Sequence, residues 1–197
     1  AVKDGDKDSY YSNMFDWIFS LLTGVMAGLI AFTPLIWNLL IRGDYDEAYY
    51  QLPILYIGVL FSCMSSTLGG IYVAHMKTKS IGITTMAAAV INLVIDLLFV
   101  KIIGIWAGSI STMIAYLFLF VFRMIDIQKF QKVNFKTSKI LLSIFMLALM
   151  AVINYQKVMW LDAINIILCI VVLTIFDRTI IASILVTIKK RVLKKKK

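Results

Sequence analysis

The chain has 197 residues, 61% of them hydrophobic and only 16% charged, with a mean hydropathy of +0.89. Soluble domains are about 45–50% apolar and keep a polar face on each surface helix, so a soluble bundle is excluded as the reading of these runs. The formal charge of +9 does not point to nucleic acid, because the basic residues sit between apolar runs with no aromatic-lined groove among them.

Six apolar runs read roughly 14–41, 50–75, 80–100, 102–122, 138–155 and 160–176. A hydrocarbon core about 30 Å thick takes roughly 20 apolar residues per helix. The first four runs meet that requirement, and the last two lie near its lower limit. The basic residues then alternate. Lys3 and Lys7 precede the first run, and Lys77 and Lys79 follow the second. Arg123, Lys129, Lys132, Lys136 and Lys139 follow the fourth; Arg178, Lys189, Lys190, Arg191 and Lys194 to Lys197 follow the sixth. Seventeen of the 20 cations thus fall on every second connection, and only Arg42, Lys101 and Lys157 fall on the others. Cytoplasmic loops carry the excess of Lys and Arg. The pattern predicts an all-α polytopic membrane bundle of six transmembrane helices with both ends in the cytoplasm. Lys77, Lys79 and Arg123 read as anchors at that face. The implied organisation is a connecting segment over 1–13, four helices over 14–125 and a basic loop over 126–137. Two further helices over 138–176 and a basic tail over 177–197 complete it.

In chain order, the polar opening Ala1 to Asp8 resembles a connecting loop, so the chain is expected to be a portion of a longer protein. The first helix has Trp17 near one end and Trp37 near the other, as interfacial aromatic belts require. From Trp17 to Ile41 it would run about 37 Å, longer than the hydrocarbon layer, so a bend is expected at Pro34, which lacks a backbone donor. Small residues recur four apart: Ser20, Gly24 and Gly28; Gly58, Ser62, Ser66 and Gly70; Gly104, Gly108 and Thr112. Such rows let helices approach closely in lipid. The third helix carries Thr84, Ala88, Asn92 and Asp96 at the same spacing. A carboxylate at membrane depth costs about 2.5–3.5 kcal/mol on insertion scales and so faces a cavity or a partner. Thr84, Asn92 and Asp96 are therefore candidates for lining a water-filled pathway. The alternative places Asp96 at the outer interface, paired with water or Lys101. Residues 180–192 read either as an amphipathic helix on anionic lipid or as an extension of the sixth helix.

Reactive chemistry is sparse. No nucleotide-binding glycine loop is present. The single histidine, His75, reads as an interfacial residue beside Lys77 and Lys79, and Asp44, Asp46 and Glu47 as a solvated acidic loop. Cys63 and Cys169 sit within apolar runs as small hydrophobes. No catalytic residue, metal site or cofactor is expected.

Local words then point to a family. Pro34, followed by Gly43-Asp-Tyr-Asp-Glu-Ala48 and Pro53-Ile-Leu55, resembles the link between consecutive helices of oligosaccharide flippases. Gly70-Ile-Tyr-Val-Ala-His-Met-Lys-Thr-Lys79 resembles their cytoplasmic turn, and Ile91-Asn-Leu93 with Gly104-Ile-Trp-Ala-Gly108 and Ser111-Thr112 is similar to a further stretch. These are the Wzx-like polysaccharide-unit flippases of the multidrug/oligosaccharidyl-lipid/polysaccharide superfamily. The resemblance runs from about residue 20 to 125. It implies a two-lobed protein of about fourteen helices, of which this chain holds the last six, the N-terminal half lying elsewhere. It also implies the activity, flipping a polyprenyl-pyrophosphate-linked oligosaccharide across the bacterial inner membrane, with no enzymatic step. Within the same superfamily, a cation-coupled drug exporter or a peptidoglycan-precursor flippase is the alternative, with Asp96 as its carboxylate. A membrane-embedded transferase or an anchor subunit is the reading from a different class. Asp96 and Lys101 depart from the family pattern, where Asn and Pro are common.

Overall fold

The computed structural model describes residues 4–41 and 46–176. Within them the chain is all helical: α1 (Asp4–Leu40), α2 (Asp46–Ala74), α3 (Thr78–Ile103), α4 (Trp106–Ile127), α5 (Thr137–Asn154) and α6 (Met159–Phe176). Five of these, α1 to α5, contain stretches long and apolar enough to cross a membrane, as in a multi-pass membrane protein; the apolar stretch of α6, Trp160–Ile175, is shorter. The tail over 177–197 and the loop bearing Asp44 lie outside the described residues.

Among the boundaries that differ from the hydropathy reading, two have a clear physical reason. Helix α1 begins at Asp4, well inside the segment expected to be a connecting loop. Its polar first turns dock on the basic stretch after α4. Asp8 accepts from the Gln131 amide, Ser12 Oγ from the Asn134 N–H at 2.9 Å, and Asp16 from Lys136 and Lys139, both at 2.8 Å. The second difference lies between α3 and α4. The chain turns at Gly104 instead of Lys101, because Gly104 adopts φ +59°, which glycine reaches without steric cost. Lys101 stays in the last turn of α3, where a cation meets the negative end of the helix dipole.

The helices pack as two wings about a central α1–α2 pair. On one side α4 lies against α2 and carries α3 on its outer face; on the other, α5 and α6 pack against each other and against α1. Aromatic rings knit the centre: Phe15 stacks on Phe19 and Phe120, Phe120 on Phe61, and Phe135 meets Phe15 edge-on at 4.7 Å between centroids. At the end opposite the basic loop, Trp37, Tyr49, Tyr50, Tyr155 and Trp106 form a chain of edge-to-face contacts, each 5.4–6.5 Å between centroids. Amphipathic rings of this kind belong at a membrane–water boundary.

The small-residue rows meet different fates. Gly24 is buried. A Cβ on Gly58 would lie 3.3 Å from the Met113 Cα, so this glycine sets the approach of α2 to α4. Ser66 and Gly70 on the same row are exposed, and nothing lies within 4 Å of where a Gly70 or Gly28 Cβ would stand; Ser62 is half-buried. Residues four apart advance about 40° around a helix at each step, so the row leaves the interface after two or three steps. Its place is taken by Ser65 and Gly69, both buried. Gly104 serves the turn, and Gly108 lies opposite Asp96, whose Oδ1 would be 3.8 Å from an added Cβ.

Candidate functional site

Arg123 is the most unusual side chain of the bundle. It follows Ala115 and Leu119 and precedes Ile127 on the stripe that α4 turns inward, and only 3% of it is exposed. The stripe, with its four-residue spacing, carries the guanidinium between three helices instead of out to an interface, so Arg123 is not the surface anchor expected from its place among loop cations. Nη1 donates to the Ser65 carbonyl of α2 at 2.8 Å. Nη2 donates to Thr85 Oγ1 at 2.9 Å, Thr84 Oγ1 at 3.1 Å and the Ile81 carbonyl at 3.3 Å, all on α3. Nε reaches Thr84 Oγ1 at 3.3 Å. Every partner is a neutral oxygen. The nearest acid along α4, Asp126, instead accepts from the Tyr72 hydroxyl and from Lys129. Gly69 makes the space, since a Cβ there would stand 3.4 Å from Nη1. One planar fork thus joins α2, α3 and α4, a geometry open to arginine and closed to lysine.

The other candidates lie on α3. Only Thr84 and Ala88 of that helix are buried. Thr84 bonds to its own preceding turn, through the Ser80 and Ile81 carbonyls, as well as to Arg123. Asn92 and Asp96 are half-buried. Asp96 is directed at Gly108 of α4, and among the described residues no hydrogen bond or ion pair, with Lys101 or any other group, holds its carboxylate. The polar row therefore faces α4, with Arg123 at one end and Asp96 at the other.

The anchors differ in kind. Lys77 sits 3.9 Å over the Phe130 ring, and both Lys77 and Lys79 are exposed. His75 places Nδ1 2.9 Å from the Ile71 carbonyl of its own helix and packs on Phe130, a structural setting. At the basic end a cleft of about 680 Å³ opens between α1 and residues 128–136, lined by Asp8, Asp16, Lys132 and Lys136 among others. Within it Asp16 pairs with Lys136 at 2.8 Å, and Asp8 accepts from the Gln131 amide. Among the described residues no three His, Cys, Asp or Glu side chains gather as a metal site would require. Cys63 and Cys169 are free thiols.

A polar seam that sequence reasoning missed runs along the α1, α5 and α6 contact. Pro34 cannot donate to the carbonyl four residues before it, that of Ile30. The Asn154 side-chain amide of α5 donates to that same carbonyl at 3.0 Å. The residue types gave no warning; only the lateral pairing of α1 with α5 brings the two together. No protein-family model, curated protein or solved structure matches this chain.

Proposed function

We propose that this chain is part of a bacterial inner-membrane transporter that flips a polyprenyl-pyrophosphate-linked oligosaccharide during polysaccharide synthesis, crossing the membrane six times with both ends cytoplasmic. The observation that carries this reading is the α3–α4 pair. It holds two ionisable side chains, Arg123 and Asp96, within helices long and apolar enough to cross a membrane, and ionisable residues inside such helices often mark transport pathways. Helix α3 leans chiefly on α4 and shows an apolar outer surface, so it can shift against α2 by remaking the Arg123 contacts. Rocking of packed elements around a midplane site needs no hydrolytic residues. The wording shared with oligosaccharide flippases and the one-sided basic loops support the same cargo class and orientation.

The unpaired Asp96 carboxylate favours one alternative within the superfamily, a cation-coupled exporter of drugs or a flippase of peptidoglycan precursor. Export of the glycan decides. In cells that depend on the full-length protein, Asn92→Ala combined with Asp96→Ala is expected to abolish surface polysaccharide while leaving membrane insertion unchanged. Normal glycan export by that double variant removes the α3 face from the mechanism. Sodium- or proton-dependent drug efflux without glycan export establishes the alternative. Sugar transfer by the purified protein alone would make it a transferase.

A further inference from the structure

The turn from α2 to α3 carries a residue that its backbone disfavours. Met76 adopts φ +57°, a left-handed conformation that is cheap for glycine and costly for a residue with a Cβ. That conformation closes the helix: the Lys77 N–H donates to the Tyr72 carbonyl at 2.9 Å and the Met76 N–H to the Val73 carbonyl at 3.0 Å. Glycine usually holds this position in such helix-ending turns. Here it is methionine, 90% exposed, so the protein's own packing does not offset the strain. Strain of this kind persists only where the surroundings over-determine it.

The neighbourhood of Met76 is positive. Lys77 and Lys79 follow it, and the first turn of α3 holds no acid. Lys77 stands over the Phe130 ring at 3.9 Å. That ring borders a cleft of about 410 Å³, lined by Lys7, Asp8, His75, Lys129 and Lys132 among others. The acids nearby are already occupied. Asp8 accepts from the Gln131 amide, and Asp126 accepts from Lys129 at 2.9 Å and the Tyr72 hydroxyl at 2.8 Å. Among the described residues no carboxylate stands within ion-pair distance of Lys77, Lys79 or Lys132. The turn thus joins an exposed apolar side chain to a group of lysines without counter-ions.

We propose that the α2–α3 turn and the loop after α4 form a headgroup site for an anionic phospholipid, with Lys77 and Lys132 meeting its phosphate and Met76 its glycerol and upper acyl region. With α2 and α3 crossing a bilayer, as their length and apolarity allow, the turn between them lies at a leaflet surface. Lysines there attract anionic lipid, and an exposed apolar side chain enters the boundary of headgroups and acyl chains. A soluble anion would use the lysines and leave Met76 without a role; the lipid uses both. The site requires that these helices cross a membrane, and it does not depend on which cargo the protein carries or on the Arg123 and Asp96 row.

The test is made on purified full-length protein in a neutral detergent, with no oligosaccharide present. Phosphatidylglycerol or phosphatidylcholine of equal chain length is titrated into the micelles; bound lipid is counted by native mass spectrometry and the unfolding temperature is followed. Phosphatidylglycerol is expected to be retained about tenfold better than phosphatidylcholine. Lys77→Gln combined with Lys132→Gln, with helicity checked by circular dichroism, is expected to weaken that retention about tenfold. Lys101→Gln, at the far end of α3, leaves it unchanged. Met76→Gly relieves the backbone, so it is expected to raise the unfolding temperature of the lipid-free protein while lowering phosphatidylglycerol retention. Equal retention of the two lipids overturns the proposal, as does full retention by the double lysine variant. Stabilisation by sodium phosphate equal to that by phosphatidylglycerol overturns it in favour of a free-anion site. Unchanged retention in Met76→Gly overturns the place given to Met76 in the site.

Discussion

Arg123 decides how α3 is held. A guanidinium withdrawn from water without a carboxylate beside it carries a desolvation cost that neutral oxygens offset only in part, and replacing buried ions by apolar residues of similar size is often neutral or stabilising. Each hydrogen bond from a charged donor contributes about 1.5–3 kcal/mol. Lysine at this position would keep the buried charge yet could not span from Ser65 on α2 to Thr85 on α3. The expected order in thermal unfolding is therefore inverted from chemical similarity. Arg123→Met should unfold within about 3 °C of the parent, and Arg123→Lys roughly 5–10 °C lower, using the usual shift of 2–4 °C per kcal/mol for a chain of this size. Both should lose transport, since α3 is no longer tied to α2. A methionine variant that falls as far as the lysine one would show that the oxygens left behind, and not the charge, dominate the node. In the sequence, Arg123 reads as the first cation of a basic loop. Its true setting follows from phase: it continues the row Ser111, Ala115, Leu119 that α4 buries, and a charge in phase with a buried row belongs to the interior.

At the scale of the helix, periodicity found the elements and misjudged their faces. The row Gly58, Ser62, Ser66 and Gly70 looks continuous on paper, yet 3.6 residues per turn rotates its far half out of the interface, and Ser65 and Gly69 carry the contact there. Pro34 leaves the Ile30 carbonyl without its backbone donor inside a helix that runs on to Leu40, and the group that serves that carbonyl, Asn154, lies on a helix with which no local pattern links it. That contact can be measured. Asn154→Leu leaves the Ile30 carbonyl without a donor and is expected to cost about 1–3 kcal/mol. In a Pro34→Ala background the restored backbone N–H of residue 34 can serve that carbonyl, so the same change should cost about 1 kcal/mol less, a coupling typical of groups sharing one partner. The cycle is read by thermal unfolding of the four variants under one buffer condition. Additive losses would mean that Asn154 stabilises the bundle in some way unrelated to the proline.

For the whole molecule, hydropathy and charge specify the axis normal to the membrane and say nothing about the arrangement within its plane. Apolar length separates the helices, and the alternation of basic connections is the basis for the orientation proposed for them; which helix neighbours which comes from packing, since α4 chooses α2, and α1 chooses α5 and α6, through side-chain fit that composition does not encode. The marginal element is the last hairpin. Helix α5 has 18 residues, and the apolar stretch of α6, Trp160–Ile175, is shorter than the other five, near the limit for a bilayer of about 30 Å. Topology around that hairpin is the sharpest check on the orientation proposed. With Cys63 and Cys169 replaced by alanine, single cysteines at Asn134, Gln156 and Lys190 bracket α5 and α6; Asn134 and Gln156 are exposed, and Lys190 lies beyond the described residues. A membrane-impermeant maleimide added to intact cells should modify the Gln156→Cys variant alone, and the other two only after the inner membrane is opened. Asn134→Cys reacting from outside would invert the orientation. Asn134→Cys and Gln156→Cys reacting together from one side would mean that α5 does not cross, and Lys190→Cys reacting with Gln156→Cys that α6 does not; either result reduces the count below six and removes the even number of crossings on which cytoplasmic placement of both ends depends.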